Sequence, residues 1–138
     1  MSGARPSVRA RRVTGAGGLG LAVQERGDAS NPTVVLVHGY PDDHGVWDLV
    51  ADQLEADHHV VTYDVPVERS GYGLDALMAD LDAVVAAVSP DAPVHLVAHD
   101  WGSIQSWSAV TDPEVGRRFA SFTSMSGPGL DHVSAWIR

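Results

Sequence analysis

The stretch from Val94 to Ser103, V-H-L-V-A-H-D-W-G-S, restricts the fold of this chain more than any other. An apolar run of strand type stops at Asp100, and Gly102 and a helix-like segment follow at once. A carboxylate on such a strand-to-helix corner is held clear of its own backbone, at the carboxyl end of a sheet, where open α/β proteins bind their ligands. That position suits a nucleophile.

The surrounding pattern supplies the sheet that such a corner needs. Val34-Val35-Leu36-Val37 is a continuous aliphatic run between Asn31-Pro32 and His38-Gly39, as expected for a central parallel strand buried on both faces. Apolar positions at Val46, Trp47, Leu49, Val50 and Leu54 approach helical spacing, and His59 to Tyr63 reads as a second strand. Leu74 to Val88 is the longest predicted helix, with Leu74, Leu77, Met78, Leu81, Val84, Val85 and Val88 on one face. Ser89-Pro90-Asp91-Ala92-Pro93 ends it. After the Val94 strand come a helix from Ser103 to about Val110 and a last strand near Phe119 to Met125. Strands alternating with helices predict a mostly parallel sheet with helices on both faces.

The N-terminal end follows a different logic. Met1 to Arg12 is Arg-rich with little apolar content and is expected to be a flexible leader, which gives a domain from 13 to 138. The Gly-rich patch Gly15 to Gly20 has no strand before it in this reading and predicts a turn between two short antiparallel strands, not a phosphate loop.

Composition narrows the partners. The formal net charge is −9, and all nine basic residues are Arg. Such a surface repels phosphate backbones, so no nucleic-acid partner is expected. No apolar run approaches the roughly 18 residues of a membrane span, and no targeting segment is visible. With no Cys, thiolate chemistry and Cys-based zinc sites are ruled out. The expectations are no membrane partner, a cytoplasmic location and no cofactor.

Two turns carry the chemistry. Around Asp100 the chain has the form small-x-nucleophile-x-small, with Ala98 and Gly102 as the small residues and His99 between strand and nucleophile. Larger side chains would keep the incoming strand and outgoing helix apart. Serine there would make an esterase-type elbow, whereas aspartate attacks carbon and forms an alkyl ester. The competing explanation is an Asp that only caps the following helix. The second turn, His38-Gly39-Tyr40-Pro41, follows the first buried strand, and its N–H groups can face developing negative charge. The expected oxyanion hole pairs the amides of Tyr40 and Trp101.

These segments resemble a known family, the α/β-hydrolase fold, and within it the epoxide hydrolases. V-V-L-V-H-G-Y-P-D-D, V-T-Y-D-V and L-V-A-H-D-W-G-S stand in that family's order, and the similarity covers roughly Gly20 to Arg138. H-D-W-G-S-I-Q-S-W and S-F-T-S-M-S-G-P-G-L-D-H-V look like the hydrolase half of actinobacterial proteins fused to a short-chain dehydrogenase. The resemblance implies a small hydrophobic epoxide substrate, with Asp100 attacking a ring carbon and a His-activated water cleaving the ester. Haloalkane dehalogenases use the same corner, but typically have Asn and Gln where this chain has Tyr40 and His99. They are the second enzymatic reading.

Departures from the family pattern shape the remaining expectations. Ala98 stands where the family usually has Gly. Val65 to Tyr72 replaces a loop of the form R-G-x-G-x-S. Family members run to roughly twice this length as one domain, and their cap, catalytic acid and His follow the position of Arg138. The resemblance therefore implies an N-terminal portion of the domain, weak or inactive alone, with the Phe119 to Met125 strand as an exposed edge open to self-association. A non-catalytic binding module on the same fold is the third reading. None of the seven His residues is expected to replace the missing base, and no metal site is expected from Asp42, Asp43 and His44.

Overall fold

The computed structural model describes residues 8–66 and 73–138. Six strands form one sheet: β1 (Arg9–Thr14), β2 (Gly20–Arg26), β3 (Thr33–Val37), β4 (His59–Tyr63), β5 (Val94–His99) and β6 (Phe119–Met125), in the order β1-β2-β4-β3-β5-β6. β4, β3, β5 and β6 are parallel, while β1 and β2 join as an antiparallel pair, with β2 against β4. The helices are α1 (Asp48–Leu54), α2 (Leu74–Val88), α3 (Trp101–Thr111) and α4 (Leu130–Trp136).

Every residue of β3 and β4 is buried, because helices cover both sides of the sheet at its centre. On one side Leu77, Leu81, Val84 and Val85 of α2 and Ala109 of α3 meet Val35, Val37, Val61 and Leu96. On the other, Ala51 of α1 and Trp47 just before it meet Val34, Leu36 and Val60. Two-sided burial explains why these strands read as unbroken aliphatic runs. Phe119 and Phe122 of β6, though at an edge, are half-buried against the α2 and α3 side of this core.

The structure moves several boundaries. Residues 9–12, expected within a flexible leader, belong to β1 and hence to the folded domain. Their arginines find acceptors: Arg9 donates to the Gly27 carbonyl at 2.8 Å, Arg12 to that of Gly20 at 3.1 Å, and Arg11 to that of Ala87 at 2.9 Å. Arg11 also pairs with Glu25 at 3.3 Å. The Gly-rich patch does link two antiparallel strands, and Asp80, on the buried face of α2, accepts the Ala16 N–H at 2.7 Å to tie it down. α3 starts at Trp101 instead of Ser103, since the turn is completed at Asp100 alone. The segment around Val46 begins as a short 3₁₀ turn, His44–Trp47, before α1. The departure from the family loop falls mostly on residues 67–72, outside the described residues.

Candidate active site

β3, β5 and α3 converge on one corner. At Asp100 φ is 57° and ψ is −127°, a positive-φ conformation that costs an L-residue about 1–3 kcal/mol and persists only where the surroundings enforce it. The Asp100 N–H donates to the Met125 carbonyl at 2.9 Å and its own carbonyl accepts from the Ser103 N–H at 3.0 Å, so β6 and α3 hold the turn from both sides. The side chain makes no capping bond to α3, which removes the simple helix-cap explanation. It projects toward the turn after β3, where the Tyr40 N–H donates to Oδ1 at 3.1 Å.

Close approach dictates the two glycines. A Cβ on Gly102 would collide with the His38 carbonyl oxygen and lie 2.7 Å from that of Val37. On Gly39 it would stand 2.6 Å from Oδ1 of Asp100. Ala98, fully buried, supplies the small residue on the strand side. The Tyr40–Pro41 peptide is cis.

Electrostatics at the corner favour a carboxylate. The N–H groups of Trp101 and then Tyr40 hold the Asp100 carboxyl below the usual range, assisted by His99 and only partly opposed by desolvation. Of the two amides, Tyr40 alone makes a well-aligned hydrogen bond to the carboxylate, while that of Trp101 faces it at the start of α3. The two groups expected to form an oxyanion hole thus lie at the carboxylate.

His38 is fixed in a supporting role. The Val65 N–H donates to its Nε2 at 2.9 Å, which leaves Nδ1 as the protonated nitrogen, donating to the Gly39 carbonyl at 2.8 Å. Both nitrogens are thus engaged with the backbone on either side of the corner, and neither is free to take a proton from water. His99 makes no side-chain hydrogen bond among the described residues. It alternates with buried Ala98 on β5 and belongs to the opposite face of the sheet.

The other candidates scatter. His44 donates its backbone N–H to Asp64 at 2.9 Å and places Nδ1 2.7 Å from the same oxygen. Burial opposes the Asp64 charge, but these contacts outweigh it and hold its carboxyl below the ordinary range. Asp43 instead accepts the Gly45 N–H at 2.8 Å to cap the 3₁₀ turn. Among the described residues no group of three acids or histidines is placed to hold a metal, and no helix is long and apolar enough to cross a membrane.

A pocket of about 440 Å³ opens between the turn after β3 and the start of α3, lined by Gly39 and Gly102, whose chain neighbours hold Asp100, and not by Asp100 itself. Tyr40 and Trp101 stand at it, 66% and 55% exposed, while Val65, Leu74 and Leu77 give it an apolar wall. Two further lining residues were missed in the sequence, Gln105 on α3 and Leu130 on α4. The helical period through Trp101 and Gln105, four residues apart, was the available signal for the first. For α4 there was none, since the segment is short and largely exposed, with His132 edge-on to Trp107. Trp107 packs edge-on against Phe122 with ring centroids 5.0 Å apart and donates to the Gly127 carbonyl at 3.0 Å. Ser103 donates to that carbonyl too, at 2.7 Å, so the segment leading to α4 is fastened to α3.

Comparison with known proteins supports the fold. The family model for the α/β-hydrolase fold matches residues 32–138. The chain belongs to the α/β-hydrolase fold family. Among curated members, the probable oxidoreductase EphD of Mycobacterium tuberculosis is 42% identical over 135 residues, covering 92% of this chain and 23% of that protein. Epoxide hydrolase A of the same organism is 31% identical, with 86% of this chain and 39% of that protein covered. Epoxide hydrolase VrEH1 from Vigna radiata shares the fold with a TM-score of 0.75 at 24% identity, over 94% of this chain and 46% of that one. Epoxide hydrolase A from Mycobacterium thermoresistibile superposes with a TM-score of 0.69 at 26% identity, over 86% and 38%. This hydrolase-fold chain therefore spans 23% of the length of EphD and less than half of either solved structure. Within the family it is similar to epoxide hydrolases as well as to EphD.

Proposed function

We propose that this chain carries the nucleophilic half of an epoxide hydrolase, with Asp100 as the attacking group. The observation that supports this reading most is the arrangement of one carboxylate with the backbone amides of Tyr40 and Trp101, two residues that line an apolar pocket. Oδ1 of Asp100 is engaged by the Tyr40 N–H, which leaves Oδ2 to attack. Oδ2 forms a bond to an epoxide carbon as the ring C–O bond breaks, and the released oxygen takes a proton from solvent. The product is an alkyl ester of Asp100.

Hydrolysis then requires water to add to Cγ. The negative charge of that step develops on Oδ1, already beside the Tyr40 and Trp101 amides, so the donors need no reorganisation. Expulsion of the alkoxide and its protonation give the diol and restore the carboxylate. The second step needs a base, and His38 is committed to the backbone. No His ring among the described residues hydrogen-bonds Asp100, so the ester accumulates in this chain by itself.

Intact mass measured after incubation with an aromatic epoxide tests the reading. One substrate-mass adduct located on Asp100 is expected. Absence of an adduct on a chain whose circular dichroism confirms the fold would sink the assignment. Dehalogenase chemistry gains no support, since Tyr40 offers no carboxamide to a halide. The free edge of β6, uncharged over its seven residues, supports a second proposal, self-association through strand pairing.

A further inference from the structure

Gln105 occupies an odd place for a carboxamide. It is 3% exposed, the fifth residue of α3, and lines the pocket beside the aliphatic side chains of Val65, Leu74, Leu77 and Leu130. Its Nε2 lies 3.5 Å from the Tyr63 hydroxyl, the outer limit of a hydrogen bond, and its Oε1 accepts none among the described residues. A carboxamide offers two donors and two lone pairs, so most of its capacity is unspent among the described residues. Leucine or methionine would fill the position with no desolvation cost, and the amide repays that cost only where a ligand pairs with it.

Building on the nucleophile reading of Asp100, we infer that Gln105 is a specificity-determining residue that hydrogen-bonds a hydroxyl or carbonyl on the distal part of the substrate. α3 begins at the corner, and five residues of helix rise about 7.5 Å. That is roughly the span of a six-carbon chain between its reacting end and a polar group at the other. The substrate class is therefore an oxygenated aliphatic epoxide, with the epoxide at Asp100, the chain along Leu74 and Leu77, and the oxygen at Gln105.

The experiment compares a terminal six-carbon alkyl epoxide with its ω-hydroxyl analogue. Rates of Asp100 labelling are read by intact mass in the unaltered chain, in Gln105→Leu and in Gln105→Met, the last keeping the shape of the side chain should leucine disturb the fold. The preference for the hydroxylated epoxide is expected to fall about tenfold in either folded variant. A parallel tryptophan-fluorescence titration with the corresponding diol and triol, which need no chemistry, should show the same tenfold loss in relative affinity. Labelling of Asp100 with an unchanged preference overturns the role of Gln105 and leaves the nucleophile standing, as it would if water alone satisfied the amide. Absent labelling with Gln105-dependent triol binding does the reverse. Absence of both overturns the two together.

Discussion

The backbone N–H of Tyr40 meets Oδ1 of Asp100 at 3.1 Å although 60 positions separate them in the chain. The contact exists because β3 and β5 are adjacent and parallel, with Val37 beside Ala98. Both strands thus deliver their following turns to the same end of the sheet, which is why ligands of this architecture gather there.

That contact sets an acid limit for the chemistry. The amides of Trp101 and Tyr40 lower the Asp100 carboxyl from its ordinary value of 3.8. A depressed folded value means that the carboxylate survives below that pH, and its stabilising contribution is lost only as pH falls through the lower value. Asp100 labelling, corrected for spontaneous epoxide opening, should fall to half its neutral-pH rate only below pH 3.8. A midpoint at or above 3.8 would contradict the amide contacts.

Gly102→Ala tests how tightly the corner is closed. The new methyl group would press into the carbonyl oxygens of His38 and Val37. Overpacking of this kind costs about 1–3 kcal/mol. Urea denaturation should show that loss, and labelling should slow as α3 moves the Trp101 amide. An unchanged midpoint would mean that the helix start can slide freely.

His38→Leu removes an imidazole that joins two backbone segments. The buried Val65 N–H loses its acceptor and the Gly39 carbonyl its donor. Each orphaned group costs about 1–3 kcal/mol. The expected result is lower stability together with slower Asp100 labelling, because the turn that aims Tyr40 is loosened. Were His38 a general base instead, the variant would label at the normal rate and merely fail to release product.

Thr123→Lys probes the sheet edge. Thr123 lies opposite Val97 of β5, in the middle of an edge strand without charge or proline. A lysine there discourages strand pairing between copies. Sedimentation velocity should show concentration-dependent association of the unaltered chain that the substitution reduces. A single monomeric species at every concentration would exclude pairing through β6.

Local pattern sufficed for the elements. The aliphatic runs of β3 and β5 and the one-sided spacing of α2 predicted them close to their observed bounds, because burial on two faces or one face imposes a period on neighbouring residues. The same kind of reasoning failed at Arg9 to Arg12. Their strand is held by carbonyls of Gly27, Gly20 and Ala87 that no local period encodes.

By itself, then, the sequence determined a strand, a corner and a helix around Asp100, with small residues at Ala98 and Gly102 to let them meet. Tertiary structure alone decided which amide reaches the carboxylate, which nitrogen of His38 is protonated, and that Gln105 faces the pocket. The reason is physical. Steric and periodic constraints act between near neighbours in the chain, whereas hydrogen bonds across a sheet depend on strand order and register, and those are fixed only when distant segments pack.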